Sequence, residues 1–231
     1  KTSVLISPFI RKIFKSTKFE NLFKKNSIDL VYFLSPNIHA RYLQLTLFFI
    51  TVWDNCSRLY PELPEVRKNY RYELVENTIK TTLQKSSAIF VDSKFTLSNI
   101  SKYYGIDKRK ILVSGLNPSP DLSLQKIDFR KNLNKKNYIC YPAQYWSHKN
   151  HSYIVYAIKN LLDTYENKIF VKFTGIDKGN ENFIKQLVKD LNLTDQFSFC
   201  GYVSKEELEK IYSNAIALVM PSYYGPMNIP I

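Results

Sequence analysis

The residues with the clearest chemical potential lie in one run, Tyr141-Pro142-Ala143-Gln144-Tyr145-Trp146-Ser147-His148-Lys149-Asn150-His151. Lys149 stands between a short apolar stretch that reads as a strand and a segment with helical spacing. An ammonium there can hold an anion, because the following helix presents free N–H groups and the positive end of its dipole. The competing reading is a solvated surface lysine, the usual state of that residue. His148 and His151 are spaced three apart, as zinc ligands sometimes are. A closed zinc site needs four ligands and no third lies nearby, so the pair reads as exposed imidazoles near a helix start.

Other chemistries lack their residues. Only six glycines occur, with neither GxGxxG nor GxxxxGK[ST], which argues against a dinucleotide oxidoreductase and a P-loop enzyme. No Asp-x-Asp pair exists to clamp a metal–diphosphate, and no GxSxG supplies a nucleophile elbow. Cys56, Cys140 and Cys200 are odd in number and far apart, as expected of free thiols in a reducing compartment. Lys plus Arg total 33 against 20 Asp plus Glu, a net charge of +13 that favours an anionic partner: nucleic acid, an acidic membrane or a phosphorylated substrate. No RNP-type strand, zinc module or helix-turn-helix cue accompanies that charge.

The elements that must position these residues read as alternating strands and helices, the signature of a parallel α/β fold. In the first half, strands are expected at 28–34, 47–52, 88–91 and 111–113. A helix is expected at 66–86, and another begins at the N-cap Ser93 and stops at Gly105. Pro61 to Pro64 marks a loop. Ahead of these, the basic stretch from Phe9 to Lys25 places apolar residues at 9/10, 13/14 and 22/23, which predicts an amphipathic helix docked on its own sheet or lying on an anionic membrane. The Pro- and Asn-rich segment 114–137 reads as a linker. In the second half, strands are expected at 138–141, 169–174, 197–199 and 216–220, with helices at 150–166, 181–191 and 205–213. In such sheets ligands bind beyond the carboxyl ends of the strands. The longest apolar stretch, Leu43 to Trp53, is too short to span a bilayer. No signal peptide is visible.

The run from Tyr141 to His151 resembles glycosyltransferase family 4, as does Pro221-Ser222-Tyr223-Tyr224-Gly225-Pro226-Met227-Asn228-Ile229-Pro230. Two further segments agree: Thr51-Val52-Trp53-Asp54-Asn55-Cys56-Ser57-Arg58 leading into Pro61–Val66, and the Val91-Asp92-Ser93 strand exit. The resemblance implies two Rossmann-like domains facing each other, the GT-B fold. Here both are incomplete: residues 1–117 on the acceptor side, 118–137 as linker and 138–231 as the nucleotide-sugar-binding domain. It also implies a retaining hexosyltransferase that needs no metal or other cofactor. Such an enzyme moves a sugar from a nucleotide-diphosphate sugar to a glycan or lipid-linked acceptor in bacterial surface polysaccharide biosynthesis.

By the same resemblance, Gln144, Lys149, Thr174, Gly175, Tyr202, Gly225 and Asn228 bind the donor. Lys149 matches a family lysine that holds the diphosphate; Gln144 occupies the place of its partner arginine. Gly225 stands where the first carboxylate of a Glu-x7-Glu motif is expected, and its backbone allows close approach to a phosphate, or serves only as a turn. Trp53 and Asp54 occupy the place of a sugar-lining histidine and are the candidate catalytic residues. Tyr202 reads either as a loop residue near the base or as a buried aromatic, the commoner fate of aromatics. The expected setting is cytoplasmic, peripheral on the inner membrane face through the basic first domain, with no nucleic-acid partner. Two other classes stay open: a non-catalytic fragment or pseudo-enzyme of this fold, and a basic nucleic-acid-binding protein. The chain starts at Lys1 and stops in a Pro-rich turn, which reads as a fragment.

Overall fold

The computed structural model describes residues 18–115, 137–166 and 168–225. The chain divides into two compact units, Lys1–Asn117 and Pro118–Ile231. Each holds a four-stranded parallel sheet. The expected linker lies almost wholly outside the described residues, as do the basic residues ahead of Lys18.

The first sheet contains β1 (Leu30–Phe33), β2 (Leu47–Val52), β3 (Ala88–Val91) and β4 (Ile111–Val113), hydrogen-bonded in that order. These segments are nearly all apolar and rich in β-branched and aromatic residues, the composition that favours strands. Helix α1 (Lys18–Lys25) precedes β1. Its buried face departs from the expected apolar stripe: Leu22 is exposed and Glu20 is buried. The Glu20 carboxylate accepts the backbone N–H groups of Leu45 (2.6 Å) and Thr46 (3.0 Å), and that of Gln44 as well. Those donors precede β2 and have no strand partner there, so a buried carboxylate serves them better than an alkyl group.

The helix expected at 66–86 is broken. Short helices α2 (Cys56–Leu59) and α3 (Pro64–Arg67) come first; α4 (Arg71–Leu83) follows after positive φ at Asn69 (56°) and Tyr70 (54°). Asn tolerates that conformation, and the side-chain spacing alone does not register it. Helix α5 (Lys94–Tyr104) keeps its predicted ends: the Ser93 side chain accepts the Thr96 N–H, and Gly105 turns the chain at φ 65°. Between α4 and α5 the buried Tyr104 hydroxyl donates to Glu76 Oε1 (2.6 Å), which also faces Arg58.

The second sheet contains β5 (Tyr138–Pro142), β6 (Phe170–Thr174), β7 (Phe197–Phe199) and β8 (Ala217–Leu218), in the spatial order β7-β6-β5-β8. Helices α6 (His151–Tyr165) and α7 (Glu181–Asp190) join the first three strands and pack with Tyr141, Val171 and Phe173. Helix α8 (Lys205–Asn214) leads back to β8 and packs with Tyr138 and Cys140, which belong to a separate cluster. Right-handed crossovers running in opposite directions put helices on opposite faces. The chain therefore reverses between β5 and β8, and the crevice at their carboxyl ends is where such sheets bind ligands.

Candidate functional site

At the carboxyl ends of β5, β6 and β7 the exit loops are stitched together. Ala143 N–H donates to Thr174 O (2.9 Å), Tyr145 N–H to Ile176 O (3.1 Å) and Gly175 N–H to Gly201 O (2.8 Å). This stitching leaves a cavity of about 220 Å³ whose walls include Gln144, Thr174, Gly175, Ile176 and Tyr202. Four of the seven expected donor-binding residues thus meet around one space. Gly175 makes the close approach possible. Its φ is +142°, and a Cβ there would lie 2.3 Å from the Ala143 carbonyl oxygen. Tyr202 is 81% exposed, which corrects the buried-aromatic reading. Gly201 at φ 65° turns the chain out of the β7 edge, so the following ring stands at the mouth instead of entering the core.

The loops after β5 and β8 are clasped beside this cavity, at the point where strand order reverses. The buried Tyr141 hydroxyl donates to Lys149 O (2.8 Å) and lies 2.8 Å from Ser222 Oγ; Asn150 Nδ2 donates to Pro221 O (3.2 Å), and Tyr223 N–H to His148 O (2.9 Å). These contacts hold the half-buried Lys149 at the start of α6 and bring the Tyr223–Gly225 segment next to it. Asn150 adopts a left-handed conformation (φ 54°) and makes no side-chain cap, so the first N–H groups of α6 are left to other acceptors. The sequence pointed to Lys149 but not to this clasp, because a tyrosine hydroxyl bonding eighty residues downstream has no local signature. Asn228 lies outside the described residues.

His151 is not the exposed partner of His148. Its ring is fully buried, stacked on Tyr145 (4.6 Å between centroids) and set against Tyr141 (4.8 Å) and Phe173 (5.0 Å). It is the first residue of α6, and a helix start facing the sheet turns that side chain inward. Burial lowers its pKa to about 4. The imidazole is therefore neutral at pH 7, and the unfolded chain, with its ordinary value near 6.5, binds the extra proton first. Stability should be full above about pH 6.5 and fall as pH drops toward 4, by about 2–3 kcal/mol from this group. Denaturant titrations at pH 7.5 and 4.5 check it: the difference should shrink for His151→Phe, and an unchanged difference would refute the assignment.

Trp53 and Asp54 lie in the other unit, directly after β2. The Trp53 indole donates to Leu34 O (2.6 Å), tying the exits of β1 and β2 together, and Asp54 Oδ1 accepts the Cys56 N–H (3.0 Å) at the start of α2. Both sit at strand carboxyl ends and both carry structural bonds. Among the described residues, no three His, Cys, Asp or Glu side chains form a metal-holding group.

A parallel sheet whose strand order reverses beside its first strand, with a cavity at its carboxyl ends, is a Rossmann-like α/β unit. Residues 124–231 match the family described as Glycosyl transferases group 1. The chain is 32% identical over 182 residues to the O-antigen chain mannosyltransferase RfbU of Salmonella typhimurium, covering 78% of this chain and 47% of that protein. It thus spans about half the length of this relative. Among solved structures it is similar to sucrose-phosphate synthase from Thermosynechococcus elongatus (TM-score 0.67, 19% identity, 92% of this chain and 55% of that one). It is also similar to Anabaena HepE in complex with UDP and glucose (TM-score 0.61, 12% identity, 90% and 57%). Residues 124–231 thus match the group 1 glycosyltransferases, and the chain shares the α/β fold of these solved structures.

Proposed function

We propose that the chain is part of a glycosyltransferase that moves a sugar from a nucleoside-diphosphate sugar to a glycan or lipid-linked acceptor in bacterial surface polysaccharide biosynthesis. The observation that carries this reading is the cavity at the carboxyl ends of β5, β6 and β7, whose wall residue Gln144 begins the loop that runs through Lys149 to the start of α6, which has no side-chain cap. The leaving group of such a transfer is a diphosphate, on which negative charge grows as the glycosidic bond breaks. Fixed N–H donors, a helix N-terminus and an ammonium stabilise that charge without reorganising. Gln144 and Thr174 add neutral hydrogen-bonding groups to the cavity, and the exposed Tyr202 ring offers an apolar face for a base. Transfer with retention, membership of family 4, a hexosyl donor and a metal-free mechanism follow from the resemblance of the Tyr141–His151 run to that family.

The acceptor side is read from charge. Lys1–Asn117 carries 19 of the 33 Lys and Arg but only 9 of the 20 Asp and Glu. That excess suits a cytoplasmic enzyme working against anionic lipid, at about 1 kcal/mol per basic residue near the surface. No helix among the described residues is long and apolar enough to cross a membrane. A second reading, a donor-binding protein without turnover, is favoured by Gln144 and Gly225 standing where charged groups are expected. One assay on the full-length protein separates them: release of nucleoside diphosphate from sugar nucleotides in the presence of lipid-linked oligosaccharide, in acidic and in neutral vesicles. Acceptor-dependent release, faster in acidic vesicles, supports the transferase at a membrane. Donor binding without release supports the second reading.

A further inference from the structure

Among the described residues, the cavity walls contain no lysine or arginine, although the proposed ligand is a dianion. One cation stands close by in an unusual position. The Lys178 ammonium lies 5.6 Å from the centroid of the Trp146 ring, within the range of a cation–π contact. The same indole donates its Nε1–H to Gln144 Oε1 (2.9 Å), and Gln144 lines the cavity. Trp146 therefore does two things at once. It fixes the Gln144 carboxamide with its oxygen occupied, leaving the NH2 as the available donor, and it holds a lysine beside it.

The backbone explains why these residues meet. Tyr145 and Asp177 form a parallel bridge between the β5 and β6 exits, so the next residue along each loop, Trp146 and Lys178, is set side by side. Neighbouring carboxylates are engaged elsewhere. Asp177 Oδ1 accepts the N–H groups of Gly179 (2.7 Å), Asn180 and Glu181 (3.2 Å each). Those bonds hold the Asp177 carboxyl below its ordinary pKa. Glu181 pairs with Lys185 at 2.7 Å. Among the described residues Lys178 has no carboxylate partner, and its charge stays available.

We propose that Lys178, held by Trp146, is the second cation for the donor diphosphate, supplied by the β6 exit where the β5 exit carries Gln144. The inference rests on the donor-binding reading above. Lys178 is a binding residue in this scheme, and Trp146 a positioning residue that acts through Lys178 and Gln144.

The test is calorimetric titration of UDP, GDP, ADP, their parent nucleosides and inorganic diphosphate into the full-length protein, with Lys178→Met, Trp146→Leu and the double variant alongside. Lys178→Met keeps the alkyl stem on the indole and removes only the charge. The tightest-binding nucleoside diphosphate should lose about tenfold in affinity in Lys178→Met at low salt, a loss that shrinks as salt rises. Its parent nucleoside should be unaffected. Trp146→Leu should weaken the diphosphate as well, and adding it to Lys178→Met should cost less than the two single losses multiplied, because the residues act together. If a nucleoside diphosphate binds wild type but Lys178→Met stays within twofold, the second-cation role is wrong while the donor-binding reading stands. If no diphosphate binds wild type, both fall.

Discussion

Gly175→Ala should destabilise the second unit by about 3 kcal/mol or more, among the largest losses expected of a single methyl group. Two independent faults coincide at this position. The backbone angle of +142° lies where L side chains are strained, and the new Cβ would sit 2.3 Å from the Ala143 carbonyl oxygen, far inside contact distance. The clash falls on backbone atoms that belong to the β5–β6 stitching, so no side-chain rotation relieves it. Gly105→Ala is the natural comparison: φ is 65° but nothing lies within 4 Å, so only the conformational cost of about 1 kcal/mol applies. Thermal and denaturant melts of the two variants should rank them clearly. A Gly175→Ala melt within about 0.5 kcal/mol of wild type would mean that the exit loops part easily, and the cavity would lose its structural basis.

The second large effect is on binding. Lys149→Ala in the full-length protein should weaken donor-nucleotide affinity about 30- to 150-fold, the equivalent of about 2–3 kcal/mol for a charge-assisted contact. The clasp predicts that folding is spared. Its bond from Tyr141 goes to the Lys149 backbone carbonyl, which the substitution leaves in place. The melting temperature should therefore stay near that of wild type while affinity falls. If the variant folds normally and binds within twofold of wild type, Lys149 is a surface lysine and the diphosphate is held by other groups.

Much of the fold was legible because the strands of these parallel sheets are short apolar runs separated by turn residues. Ala88–Val91, Ile111–Val113 and Phe197–Phe199 fall where the pattern placed them. The helix ends at Ser93 and Gly105 were legible because capping is local chemistry. What escaped was non-local or concealed by a residue type. Leu22 has the spacing of a buried residue yet is exposed, since the three N–H groups ahead of β2 draw Glu20 inward instead. The break at Asn69 and Tyr70 lies inside a stretch whose apolar period continues unbroken across it. His151 looked like half of an exposed pair because spacing carries no information about which side of α6 meets the sheet.

The candidate site divides in the same way. Gln144, Thr174, Gly175 and Tyr202 were named by the family resemblance, in loops that the strand pattern had marked, and a shared cavity unites them. Trp146 and Lys178 carried no signal, because their contact depends on the register between two exit loops. That register follows from the Tyr145–Asp177 bridge, which no sequence spacing encodes.

The central claim is that the carboxyl ends of β5, β6 and β7 form the nucleoside-diphosphate site. Hydrogen exchange on the full-length protein, with and without a saturating concentration of the best-binding nucleoside diphosphate, tests it most directly. Protection should appear at 143–151, 174–178 and 201–203, and should be lost at the same nucleotide concentration in Lys149→Ala. Protection confined to other segments, with these three unchanged, would contradict the account.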